Sequence, residues 1–266
     1  MNIAVCVKQV PDSWAEKKML NGSLDREGVD AVLNDLDEYA VEEALRIVEA
    51  HGGNGEGGAN KITVISMGPS RATEAARKAL SMGADSAIVI TDDALAGSDA
   101  LATSKVLAKV IESGNFDLVF CGTESTDARM SVIPAMLAQR LKWAGLTFAG
   151  SVTIDPATKD VTISRQTESG VDTVKAKFPA VISVVEKINE PRYPSFKGIM
   201  AAKKKTMEIR DLASVGIDAS SVGSAGASSE VVDATARPAR AAGIKIVDDG
   251  NAGKALVDFL AEKKLI

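Results

Sequence analysis

The sequence predicts an α/β protein with a doubly wound, mainly parallel sheet, and three observations carry that prediction. Short β-branched, apolar runs alternate with segments of helical periodicity through the first two thirds of the chain. Such alternation implies parallel strands joined by crossover helices. The runs are apolar at successive positions, as strands covered on both faces must be. Glycine stands where helices should stop, after Met82 and after Ser113.

Ile3 to Val7 is the first strand. Asp35 to Ala50 reads as a helix: Val41, Ala44, Leu45 and Val48 make one apolar stripe, with Glu42, Glu43, Arg46 and Glu49 around it. Asn34, Asp35 and Asp37 stand at its start, where caps and negative charge suit the helix dipole. Lys61 to Met67 is a strand, broken by Gly68-Pro69-Ser70, and a helix follows over 71–82. Ala87 to Thr91 is the next strand. Ser98 or Asp99 caps a helix running to about Ser113. Leu118 to Cys121 is a strand ending at Gly122, and Ser131 to Leu141 is a further helix. Beyond Gly145 the rhythm changes. Val152 to Ile154, Val161 to Arg165, Val171 to Lys177 and Ala180 to Val185 lie close together, with turn-like joins at 155–160 and at Ser169-Gly170. The sheet is therefore expected to end in antiparallel strands.

From 187 to 205 no period holds. Asn189, Glu190, Pro191, Arg192, Tyr193 and Phe196 lie in a proline-broken stretch whose aromatic residues look exposed, and Lys203-Lys204-Lys205 follows. Residues 219–230 are rich in Ser, Gly and Ala and read as a linker. A terminal helix is expected at about Ala252 to Lys263, with Ala255, Leu256, Phe259 and Leu260 as its apolar stripe. The expected organisation is a nucleotide-binding α/β domain over 1–218, including the irregular stretch 187–205, then a linker over 219–236 and a C-terminal arm over 237–266. A helix beyond a linker must pack on its own domain or on a partner chain.

Composition narrows the function. The formal net charge of -5 argues against nucleic acid and against an anionic membrane surface as partners. No apolar run approaches the ~20 residues of a membrane span. The N-terminus lacks the basic lead and small-residue cleavage site of a signal peptide. Cys6 and Cys121 both lie in strand-like runs and read as buried thiols of a reducing, cytoplasmic compartment. One histidine, His51 in a glycine-rich loop, is too few for a metal site or a histidine-activated nucleophile. The chain reads as a binder in which a cofactor carries the chemistry.

In an open parallel sheet, ligands bind outside the carboxyl ends of the strands where the strand order reverses. Four segments qualify: the strand end from Cys6 to Asp12, the helix start at Asn34, Asp35, Leu36 and Asp37, the break after Met67, and the loop Gly122, Thr123, Glu124, Ser125, Thr126, Asp127, Ala128, Arg129, Met130, Ser131, Val132, Ile133. The last is where a phosphate would rest on backbone N–H groups at a helix N-terminus. It carries neither glycine-rich nucleotide fingerprint, and by itself it reads more readily as an ordinary strand-to-helix loop.

A resemblance decides between these readings. It rests on Val7-Lys8-Gln9-Val10-Pro11-Asp12, on the text from Asn34 to Ala44, on Gly68-Pro69, and on Ala79 to Asp85. It continues through Arg165 to Val181, Asn189 to Tyr193 and Ile199 to Lys205. Taken together and in this order, they make the chain resemble the beta subunit of electron-transfer flavoproteins over nearly its whole length. The resemblance implies a Rossmann-like, adenine-nucleotide-binding sheet in a heterodimer with an alpha subunit. The two would share an FAD, and this chain would bind a structural AMP. AMP contacts would fall on Cys6, on Asn34 to Asp37, on Met67 and on the Gly122 to Ile133 loop. Ser13 and Leu36 would lie near the flavin ring. Relatives can be aromatic at both positions, so stacking here would be weaker.

The resemblance also makes 189–200 a docking loop for partner dehydrogenases, with Phe196 as its apolar anchor. Lys203 to Lys205 would be a steering patch. Electrons would pass from acyl-CoA and other dehydrogenases to a quinone oxidoreductase, with no catalytic residue on this chain. One departure bears on the phosphate loop. Relatives carry small residues or glycine after its aspartate, whereas Asp127 is followed here by Ala128-Arg129-Met130. Met130 would hinder close approach of a phosphate, and Arg129 would replace part of the lost interaction. Two other readings are a flavin-bifurcating form with a second FAD in place of AMP, and a stand-alone nucleotide-binding regulatory protein.

Overall fold

The chain opens with β1 (Asn2–Cys6). An excursion follows that holds β2 (Gln9–Pro11), β3 (Met19–Leu20), β4 (Ser23–Leu24) and β5 (Ala31–Leu33). Next come α1 (Asp35–Ala50), β6 (Lys61–Met67), α2 (Ala72–Met82), β7 (Ser86–Ile90), a 3-10 turn at Asp93–Leu95, α3 (Ala100–Glu112), β8 (Leu118–Gly122) and α4 (Ile133–Leu141). β9 (Ala144–Asp155), β10 (Asp160–Thr167), β11 (Gly170–Lys177) and β12 (Ala180–Val184) form a run of strands. α5 (Phe196–Ala202), β13 (Met207–Arg210), a 3-10 turn at Ala219–Ser221, α6 (Gly223–Gly226) and α7 (Ala252–Glu262) complete the chain. This computed structural model describes all residues but 21–22, 56, 236–237 and 239.

Nine strands form the main sheet, in the order β11-β10-β9-β12-β8-β1-β6-β7-β13. From β9 to β13 every pairing is parallel, and only β10 and β11 are antiparallel additions. The α/β expectation is therefore met. Alternation along each strand feeds two cores. Ile3 and Val5 join Val41 and Leu45 of α1 and Leu80 of α2 on one face. Ala4 and Cys6 join Val106 of α3 and Leu137 of α4 on the other. The chain leaves β1 for β6 and β7 on one side, then returns to place β8 on the other side of β1. The strand order thus reverses between β1 and β8, which puts a ligand crevice at their carboxyl ends.

Local signals explain the helices. Asp99 caps α3, its carboxylate accepting from the Ala102 amide at 2.8 Å. Gly83 ends α2 at φ 145, in a conformation that disfavours a side chain.

Several expectations need correcting. β12 was grouped with the antiparallel strands, yet it runs parallel between β8 and β9. All five of its residues are buried, which suits the middle of the sheet and not its edge. β9 starts at Ala144, eight residues before the run expected at Val152 (152 − 144 = 8). α4 begins at Ile133, not Ser131. The stretch read as linker from 219 is packed: Val222 is fully buried, the Gly223 amide donates to Ser98 Oγ, and the Ser228 amide donates to Asp99. Small residues there permit close packing and do not signal a tether. The first compact unit accordingly runs from Met1 to Val232, and a second spans Asp233–Ile266. The expected arm start at 237 lies outside the described residues. α7 is as anticipated in extent, and none of its residues is buried.

Candidate functional site

The crevice is built where β1, β8 and α1 meet. Cys6 and Cys121 are register partners at the ends of β1 and β8. Both thiols are free and buried, and the Cys121 thiol is pushed up by its bond to Cys6 and by burial. Cys121 is therefore not a reactive thiolate. Met67 ends β6 and packs, half-buried, in the same core as Cys6.

Asn34 holds the N-cap position of α1, but its side chain caps nothing. It reaches across the crevice instead. Its Nδ2 donates to the Glu124 carbonyl at 2.9 Å, and its Oδ1 accepts from the Thr126 amide at 3.0 Å. A fully buried amide thus fixes the start of the 122–133 loop with both of its polar ends. One turn on, buried Asp37 accepts the Lys8 amide at 2.8 Å. Burial raises its carboxyl to about 7, against the lowering pull of Asn34 and of the Lys8 and Gly122 amides. A Cβ on Gly122 would lie 2.6 Å from Asp37 Oδ1 and 2.8 Å from the Leu36 carbonyl oxygen, so only glycine lets β8 meet α1 here. Leu36 is placed by that backbone contact. Asp35 is exposed beside it.

Asp127 is the charge hub of the loop. Its side chain is 1% exposed and pairs with Lys8 at 2.9 Å and with Arg26. Burial works to raise its carboxyl, but Lys8, the Ser125 hydroxyl and Arg26 overcome this and hold it well below the usual range. Lys17 donates to the Thr126 carbonyl at 3.3 Å, so Lys17 and Arg26 both reach the loop, and Arg71 donates to the Arg26 carbonyl at 3.2 Å. Thr123 is tied to the Val184 carbonyl by both its amide and its hydroxyl.

Beyond Asp127 the backbone turns left-handed at Arg129 (φ 50) and Ser131 (φ 55). Met130, expected to be the obstructing residue, lies between them with its side chain exposed. The positions that favour glycine are its neighbours. Among the described residues, the amides of Ala128, Met130, Ser131 and Val132 have no protein acceptor. Free amides in such an alternating turn, just before α4, make a concavity suited to a phosphate. The residues present fit a phosphate group on this observation. Val132 and Ile133 then lead into α4, where Pro134 occupies the first turn.

Ser13 is placed apart from the loop. It is exposed and, with Trp14, Asp35, Glu38 and Lys78, lines a groove of about 410 Å³ beside the start of α1. Lys78 Nζ lies 5.1 Å from the Tyr193 ring centre, which joins this groove to the 189–200 segment.

That segment divides into two parts. Asn189 Nδ2 donates to the Tyr39 carbonyl at 3.1 Å and to Glu43 at 3.0 Å. Arg192 makes bidentate bonds to Glu42 (2.7 and 3.1 Å) and to Glu49 (2.6 and 3.0 Å). These two residues are fasteners to α1, not free docking groups. Glu49 and Glu42 together hold the Arg192 guanidinium charged more firmly than usual. Pro191 is half-buried and Glu190 exposed. Tyr193 and Phe196 are 91% and 81% exposed. Phe196 does not sit in irregular text: Ser195 caps a short helix, α5, accepting the Gly198 amide at 3.1 Å, and Phe196 opens it. Lys205 leaves the presumed steering patch, since its ammonium caps the end of α2 through the carbonyls of Leu80, Gly83 and Ala84.

Four contributors were not singled out as site residues in the sequence. Lys8 had a signal, a cation directly after the first strand. Glu42 and Glu49 also had one, two acids seven apart on one helix face. Arg26 had none, because only folding of the excursion brings it to Asp127.

The family model for the electron transfer flavoprotein domain matches residues 21–215. The electron transfer flavoprotein subunit beta of Mycobacterium leprae is 47% identical over 268 residues, covering 100% of this chain and 99% of that protein. The same subunit of Thermoanaerobacterium thermosaccharolyticum is 39% identical, covering 90% of this chain and 88% of its own. Protein FixA of Azotobacter vinelandii is 36% identical, with 82% and 77% covered. Among the described residues no helix is long and apolar enough to cross a membrane. The chain belongs to the electron transfer flavoprotein family, as a chain of the beta-subunit type, and so to flavin-dependent electron transport alongside an alpha subunit.

Proposed function

We propose that this chain supplies one wall of an FAD site shared with the alpha subunit and holds a structural AMP in the crevice between β1 and β8. The observation that carries the reading is the two-ended bridge from Asn34 to Glu124 and Thr126, which sets the loop's free amides at the strand-order reversal. Asn34 to Asp37 and the Gly122 to Ile133 loop hold the nucleotide, with Cys6 and Met67 as apolar walls. Ser13 and Leu36 face the flavin side. The FAD supplies the redox chemistry when bound, and this chain positions it and does no bond chemistry itself. Acyl-CoA dehydrogenases and other donors dock on Phe196 and Tyr193, and a quinone oxidoreductase takes the electrons. A cytoplasmic location accompanies this reading.

The test is the cofactor content of the co-expressed heterodimer. One FAD and one AMP per pair is the expected result. Two flavins and no AMP would replace it with the bifurcating form. Absence of any adenine nucleotide besides the flavin would overturn the AMP assignment.

A further inference from the structure

We propose that Glu124 is a specificity-determining latch of the nucleotide site, an internal anion that a ligand's phosphate must displace. The proposal rests on the nucleotide reading above. Ser131 Oγ donates to Glu124 Oε2 at 3.0 Å, and Arg129 Nη1 lies 3.7 Å from Glu124 Oε1. The polar groups that follow the hub of the loop are thus engaged by the loop's own carboxylate. Arg129 and Ser131 are also its two left-handed, non-glycine residues. Such a conformation is disfavoured for a residue with a side chain and persists where surrounding contacts impose it. Here both strained residues direct their side chains to one acid.

The charge balance points the same way. Lys8 and Arg26 are both committed to Asp127. Arg129 is the remaining cation of the loop, and among the described residues its ion-pair partner is Glu124. Counting Lys17 on the Thr126 carbonyl, four cations against two carboxylates leave two net positive charges for a phosphate dianion. With Glu124 neutral the count rises to three. The Glu124 backbone is fixed, since its carbonyl accepts from Asn34. Its side chain can therefore turn outward without moving the loop. The latch disfavours anionic ligands and leaves the adenosine portion unaffected.

Binding of AMP and of adenosine to nucleotide-depleted heterodimer tests this by titration calorimetry, using wild type, E124Q and E124Q/R129Q. Glutamine keeps an acceptor for Ser131, so the loop retains its shape. E124Q is expected to tighten AMP roughly five- to tenfold, the scale of one partly screened like charge. Adenosine should stay within about twofold, and the added R129Q should remove the gain. Unchanged or weaker AMP binding by E124Q, or an equal gain for adenosine, overturns the latch. Wild type that binds neither ligand overturns the nucleotide reading, and the latch with it.

Discussion

Asp37 links the site to pH. Its carboxyl is raised from 3.8 to about 7, chiefly by burial. A carboxyl with a raised folded-state pKa holds its proton more tightly in the fold than in the unfolded chain. It therefore costs stability progressively as pH rises from about 4 to about 7. Asp127 acts in the opposite sense. Its pKa is depressed, so its contribution is present above the unfolded value and is lost only in acid. The two windows do not overlap between pH 5 and pH 8. Denaturant unfolding at those two values should show wild type losing roughly 2–3 kcal/mol more than Asp37→Asn. Equal slopes for the two proteins would show that Asp37 titrates normally. The sequence placed Asp37 at a helix start, where an acid is ordinary. Its burial between Lys8 and Gly122 was not legible, because that depends on which strand ends flank the helix.

At the scale of elements, α1 works as a strut. Its N-terminus carries Asn34 and Asp37, and its acidic face carries Glu42, Glu43 and Glu49, which fasten Asn189 and Arg192. The periodicity read this face as solvated, yet Glu42 and Glu43 are buried under the returning chain. Fastening and docking should therefore separate by mutation. Arg192→Ala strands Glu42 without its partner and should cost about 1–3 kcal/mol, seen as a lower thermal midpoint. Phe196→Ala removes an exposed ring and should leave the midpoint unchanged. It should raise the KM for reduction by a docked dehydrogenase. A stability loss in Phe196→Ala as large as in Arg192→Ala would place the ring in packing, not recognition.

At the scale of the whole molecule, the unit Asp233–Ile266 exposes more apolar surface than a free segment favours. Ile244, Val247, Leu256, Val257, Leu265 and Ile266 are all exposed. So many exposed large apolar side chains in one short segment point to an interaction face. The proposed occupant is the alpha subunit. Truncation after Val232 should abolish heterodimer formation on gel filtration, while the cooperative melt of the Met1–Val232 unit persists. A truncated chain that still co-elutes with the alpha subunit would refute the assignment.

What the sequence determined by itself was local and periodic. The extents of α1 and β6 followed from apolar spacing and β-branched runs, as did the stop at Gly83 and a cap at Ser98 or Asp99. Adjacent residues largely decide these features. The candidate loop at 122–133 was likewise legible as a strand-to-helix connection. Tertiary structure decided the rest, for one reason: contacts distant along the chain carry no local period. It placed β12 in the middle of the sheet, turned the Ser/Gly/Ala text at 219–226 into packed turns, and brought Arg26 to Asp127. It also left Met130 exposed and put the left-handed backbone at its neighbours Arg129 and Ser131. Whether an amide such as Asn34 caps its own helix or spans a crevice depends on what lies opposite, and only the fold supplies that.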